Sequence, residues 1–161
     1  MAPRSFIDDA RRWSGWRRAA AHAAAGGRER AGTEHLLLSL VEGPPGPAQR
    51  LLAETGVVIG TVRRALEAIM GPDSAPLEPV DPALICPGTR AHAVLLRASN
   101  LAGRSGSPAT ERPLEDVHLL AALISDDDPS LALLILEQLG ALRRLRRLVL
   151  EYDGALRWPA E

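Results

Sequence analysis

Lysine does not occur in this sequence: all 19 basic residues are arginine, against 20 acidic ones, in 161 residues with a formal net charge of −1. A Walker A loop needs a lysine on the β- and γ-phosphates, and Schiff-base chemistry needs a lysine amine, so the chain encodes neither. GC-rich codon usage, which favours Arg, Ala, Gly and Pro, accounts for the zero. Cysteine is almost as scarce. Cys86 is the one thiol, so no internal disulfide can form, and with no thiolate-stabilising partner in its neighbourhood it is expected to be inert. Aromatic residues make up 3% of the chain. Nucleic-acid binders carry a basic excess and stacking platforms, so no nucleic-acid partner is expected. Apolar runs such as Leu131–Leu136 are far short of a membrane span. The opening residues, MAPRSFIDDARR, have no apolar signal core. The expectation is a cytoplasmic protein with no membrane partner.

Catalytic patterns are also missing. There is no Gly-x-Ser-x-Gly, no His-Glu-x-x-His and no Cys–His arrangement with supporting spacing. No catalytic residue, metal site or cofactor is therefore expected, and the protein is read as a non-enzyme. With 46% hydrophobic and 24% charged residues the chain is globular and long enough for a substantial core.

Its main positive feature is a unit written twice. Thr33-Glu34-His35-Leu36-Leu37-Leu38-Ser39-Leu40-Val41 recurs 83 positions later as Asp116-Val117-His118-Leu119-Leu120-Ala121-Ala122-Leu123-Ile124. A polar turn containing proline follows each copy (Glu42–Pro47, Ser125–Pro129), then an apolar segment that stops at Gly56 or Gly140, then an arginine-bearing segment, Thr61–Met70 or Leu142–Tyr152. Val62, Leu66 and Ile69, like Leu142, Leu145 and Val149, are spaced for one helical face. That spacing turns Arg143, Arg144, Arg146 and Arg147 outward as a solvated face. Thr33 and Asp116 are side chains able to cap helix starts, Pro47 and Pro129 suit a first helical turn, and Gly56 and Gly140 suit left-handed C-terminal caps. No run alternates with period two, so no strand is expected. The fold class expected is all-α: a pseudo-twofold duplication of a four-helix unit, about eight helices. The units are residues 1–71 and 88–154, joined by a proline-rich linker, 72–87, and followed by a tail, 155–161. Gly103–Pro113 reads as a loop before the second motif.

The segment Ala31-Gly32-Thr33-Glu34-His35-Leu36-Leu37-Leu38, the proline-bearing turn, and Arg50-Leu51-Leu52-Ala53-Glu54-Thr55-Gly56-Val57 together resemble the Clp N-terminal domain. That family supplies the substrate- and adaptor-receiving module of ClpA- and ClpC-type unfoldases. The resemblance runs from about Phe6 to Tyr152 and is strongest from Gly32 to Val41. It implies a pseudo-twofold four-helix duplication. Because the chain ends at Glu161 and holds no lysine for a Walker motif, it also implies a stand-alone receptor module without AAA+ machinery. Some family members bind phosphoarginine at one site per half, through the Glu of the Gly-Thr-Glu-His motif and a Thr at the start of the half's first helix. Carried over, the Glu is Glu34, its second-half counterpart is Val117, and the helix-start position falls at Ile7 or near Cys86, Gly88 or Thr89. Val117 cannot pair with a cation, so phosphoarginine is not the expected ligand.

The ligand-binding candidates are Glu34, Thr33, Phe6, Ile7 and Trp13; the aromatics, with Trp16, could line a peptide groove. Each candidate also has a plainer role. Glu34 in a first helical turn complements the helix dipole, and the tryptophans can simply fill core. His35 and His118, equivalent by the repeat, are expected to be hydrogen-bonded structural histidines, while His22 and His92 belong to no motif. Asp126-Asp127-Asp128 lacks the Gly and distal Glu of a calcium loop and is expected to cap the helix beginning at Pro129. The function implied is a peptide- or adaptor-binding module acting as adaptor, regulator or decoy in Clp-dependent proteolysis, with Clp components, adaptors or peptide-like ligands, including toxins, as partners. The alternative is a protein that keeps the fold, has lost ligand binding and acts by self-association.

Overall fold

A computed structural model describes residues 13–71, 78–104, 114–125 and 129–152. Eight α-helices occur among these residues, and they follow the repeat. Helix α1 (Trp16–Ala25) is mostly alanine, the residue that loses least on entering a helix, and it buries Ala19, Ala20, Ala23 and Ala24. It stops at Gly26–Gly27, where Gly27 adopts φ +70°. Helices α2 (Thr33–Val41), α3 (Pro47–Glu54) and α4 (Ile59–Met70) complete the first unit. Helices α5 (Thr89–Arg104), α6 (Asp116–Ile124), α7 (Leu131–Gln138) and α8 (Leu142–Tyr152) form the second.

Both α3 and α7 end as their glycines require. Gly56 (φ +76°) and Gly140 (φ +69°) take the left-handed conformation. The residue after each then donates back into the helix, Val57 N to Leu52 O at 2.9 Å and Ala141 N to Leu136 O at 3.0 Å, satisfying carbonyls the helix end leaves free.

The two Leu-rich motif helices, α2 and α6, touch at the centre of the molecule. Seven of the nine α2 residues and eight of the nine α6 residues are buried. Around them the units interlock: α2 lies on α7 of the second unit and α6 on α3 of the first, while α4 packs on α7 and α8 on α3. Hydrogen bonds mark both crossings. The Thr33 hydroxyl accepts from Ala132 N (3.2 Å), and Gln49 Nε2 donates to Asp116 Oδ2 (2.7 Å). Arg18 and Arg97 are likewise related, reaching the carbonyls of Ser39 (3.3 Å) and Ala122 (3.1 Å), which lie 83 positions apart.

Three expectations are revised. Strands do occur, as a two-residue parallel pair with Arg30 opposite Cys86 and Ala31 opposite Pro87, and an isolated bridge joins Trp13 to Leu114. Segments this short show no alternation in sequence, because tertiary contact creates them. Thr33 and Asp116 are the first residues of their helices, not the caps, which are Gly32 and Glu115. The capping side chain is the histidine three residues on from each: His35 Nδ1 accepts from Gly32 N (2.9 Å), and His118 Nδ1 from Glu115 N (3.3 Å). The two histidines are thus hydrogen-bonded structural residues, as expected. Pro129 precedes the cap of α7, which is Ser130, its hydroxyl accepting from Leu133 N (3.2 Å). Asp126–Asp128 lie outside the described residues, as do 105–113.

The proline-rich stretch enters the fold from Glu78 onward. Val80 N donates to Ala24 O (3.1 Å), and Asp81 caps a short 3-10 turn, Pro82–Leu84, by accepting from Ala83 N (3.0 Å). That turn rests against α1.

Candidate functional site

The short strand pairs bring helix starts from different units together. Between Ala31 and Pro87 the ladder extends one step further, because Gly88 N donates to Ala31 O (2.9 Å). Helix α2 therefore begins beside α5, and Glu34 shares this junction with Gly88 and Thr89. The Glu34 carboxylate is turned back over its own helix start. A Cβ on Gly32 would stand 2.7 Å from Oε1, and the same oxygen lies 3.6 Å from His35 Nδ1. It lies in the first turn of α2, where the helix dipole favours a negative charge.

The second junction, between the starts of α1 and α6, is filled. Trp13, 1% exposed, donates its indole Nε1–H to Asp116 Oδ1 at 2.7 Å. Gln49 takes the other carboxylate oxygen and also donates to Leu40 O (3.0 Å). Val117 is buried. Of the residues singled out in the sequence, then, Glu34 lies at one junction and Trp13 at the other. Thr33 is buried with its hydroxyl committed to Ala132. Phe6 and Ile7 fall outside the described residues.

His35 sits beneath Glu34. Burial holds its imidazole below the usual histidine range; Glu34 opposes this, while His22 and Arg28 reinforce it. The neutral ring is the form the cap requires, since Nδ1 must accept from Gly32 N. An unfolded chain protonates His35 near the ordinary value of about 6.5, and the folded chain does so only at lower pH. Between those two values the unfolded state binds more protons. Stability from this site is therefore complete above about pH 6.5 and is lost as the pH falls through the folded value. His35→Gln keeps an N-terminal capping acceptor but does not titrate. The decline in melting temperature from about pH 7 towards pH 5, the range in which histidine changes charge, should be shallower in this variant than in wild type; equal slopes would contradict the assignment.

A cleft of about 680 Å³ opens beside α1. One wall is Trp13, Ser14, Trp16, Arg17 and Ala20, and the other is Pro82, Ala83 and Ile85. Its volume is in the range of small-ligand and peptide sites. Of the lining residues Arg17 carries the charge and is exposed, and Leu84, between Ala83 and Ile85 in the chain, is 70% exposed. The scarcity of aromatics draws attention to Trp13 and Trp16 in the sequence. The opposite wall has no such signal, because Asp81-Pro82-Ala83-Leu84-Ile85 reads as linker until α1 is placed against it. Among the described residues no cluster of His, Cys, Asp or Glu could hold a metal ion, and no helix is long and apolar enough to cross a membrane.

The family model described as the Clp repeat (R) N-terminal domain matches residues 10–112. The chain belongs to this family. No curated protein matches it. The matched stretch ends before α6, and the Clp N-domain architecture is completed by geometry, since α6–α8 repeat α2–α4 in order and packing partners.

Proposed function

We propose that the protein is a non-catalytic binding module that receives peptides or adaptor proteins as a Clp N-domain does, in the cytoplasm, as adaptor, regulator or decoy of a Clp unfoldase. The cleft between α1 and the Pro82–Leu84 turn carries this reading. Trp13, Trp16, Ala20 and Ile85 stand nearly buried in its walls, and Ser14, Arg17, Pro82 and Ala83 supply its exposed surface. Arg17 is the charged side chain lining it, and exposed Leu84 lies between Ala83 and Ile85 in the chain. Such a surface suits an apolar peptide with a carboxylate near one end. Apolar contacts supply affinity and the guanidinium fixes direction.

The Glu34 junction supports a second ligand less well. Its acid is folded back over the start of α2, 3.6 Å from His35 Nδ1, and the related junction offers Val117 and an Asp116 whose two oxygens accept from Trp13 and Gln49. Phosphoarginine is accordingly not the ligand we favour.

The test is calorimetric titration of the chain with a short apolar peptide carrying one carboxylate. Leu84→Asp and Arg17→Glu alter exposed side chains and should leave the melting temperature within a few degrees, while each weakens binding by about tenfold or more. Binding that ignores both substitutions would reject the cleft. Self-association without peptide binding would favour the alternative, a Clp N-fold protein that works through its own copies.

A further inference from the structure

Helix α8 presents a surface that the cleft does not use. Its buried face is Leu142, Leu145 and Val149, which leaves Arg143, Arg144, Arg146 and Arg147 exposed. Arg146 is tied down, donating through Nε to Ile124 O at 2.9 Å. Among the described residues Arg143, Arg144 and Arg147 form no ion pair. The equivalent helix of the first unit differs. There Arg63 meets Glu42 at 3.6 Å and Arg64 bonds Gly60 O at 3.3 Å.

The charges on α8 run against its own electrostatics. Arg143 and Arg144 occupy the first turn, where the helix dipole repels cations, and Glu151 sits in the last, where it repels anions. Arg143 stacks over Arg146 and Arg147, and Arg144 over Arg147, at the three- and four-residue spacings where like charges oppose helix formation. Within the helix only Glu151, four residues from Arg147, offsets this crowding, and it does so at one end; an anionic partner relieves it along the stripe. The stripe also changes character along its length. Leu150, 59% exposed, follows Arg143 and Arg147 on the same face, and Tyr152, 40% exposed, closes the helix.

We infer that α8 docks an acidic, amphipathic polypeptide segment, with carboxylates on Arg143, Arg144 and Arg147 and an apolar residue against Leu150. A phosphate backbone would use further cations where α8 has Leu150 and Tyr152, which suit an apolar side chain instead. The interaction is independent of the cleft reading, since the two surfaces share no residue.

The experiment is fluorescence anisotropy on the full chain, using a labelled helical peptide of glutamate and leucine with glutamates spaced to share one helical face. Arg143→Ser/Arg144→Ser/Arg147→Ser should weaken binding by at least about tenfold, and added salt should weaken wild-type binding. The free triple variant should melt within a few degrees of wild type, because relief of like-charge crowding offsets the lower helix propensity of serine. Arg147→Ser alone should move affinity the same way by less. Unchanged affinity in the triple variant, no binding of the peptide by wild type, or tighter binding of a short DNA duplex or of phosphatidylglycerol vesicles would each overturn the inference.

Discussion

Replacing Asp116 by alanine should lower the unfolding free energy by about 3 kcal/mol, read from urea denaturation with an unchanged slope. The side chain ties three segments of the first unit to the second. It accepts from Trp13 Nε1 and Gln49 Nε2, both at 2.7 Å, and Gln49 in turn holds Leu40 O. Hydrogen bonds to an ionised acceptor contribute about 1.5–3 kcal/mol each, and removing the acceptor leaves the donors with a desolvation penalty. Asp116 also opens α6, so its charge favours the helix start. Alanine forfeits all of this. Asp116→Asn should recover part of the loss, because the amide oxygen can serve one donor. A drop below about 1 kcal/mol would show that the network is solvated and contributes as a surface pair does.

Gly15→Ala should cost about 2 kcal/mol for a steric reason alone. The backbone at Gly15 has φ −77°, open to any residue, so the substitution brings no conformational strain. A Cβ there would stand 2.9 Å from Trp13 Cη2 and closer still to Cζ2 and Cε2. The indole cannot swing away, because it is 1% exposed and its Nε1 is held by Asp116. Relief requires moving either the ring or the first turn of α1, and both are packed. The melting temperature should fall, and the fluorescence of the buried indole should shift with it. The substitution should be non-additive with Asp116→Ala, since freeing the ring removes the obstruction. Full additivity would place Trp13 elsewhere.

These two residues also mark where local sequence signals end. The helices, their order and the pseudo-twofold are legible because a duplicated Leu-rich motif, a proline turn and a terminal glycine are local signals. Gly56 and Gly140 do what their position announces. Partner choice is not legible. Trp13 and Asp116 meet across 103 positions, and periodicity states that a helix has a buried face without stating which helix covers it. The interlocking of α3 and α7 with the opposite units is therefore a tertiary fact. The caps differ from expectation for a related reason. Thr33 and Asp116 are residue types that cap, yet the strand pairs fix the caps one residue earlier, at Gly32 and Glu115. His35 and His118 then fall at the third helical position, where a ring nitrogen can accept from the cap. Two histidines at the same place in both repeats are the signal for that arrangement. The cleft is half legible: its tryptophans are conspicuous, whereas its far wall is a proline-rich segment whose order comes from packing on α1.

Whether the cleft beside α1 receives a peptide is decided by amide and indole NMR shifts during titration of the chain. An apolar peptide bearing one carboxylate should perturb the indole signals of Trp13 and Trp16 and the amides of Arg17, Ala83, Leu84 and Ile85, saturating together, and Leu84→Asp should suppress all of them. Saturating peptide that leaves those signals in place, or that shifts only residues of other helices, would refute the peptide-binding role.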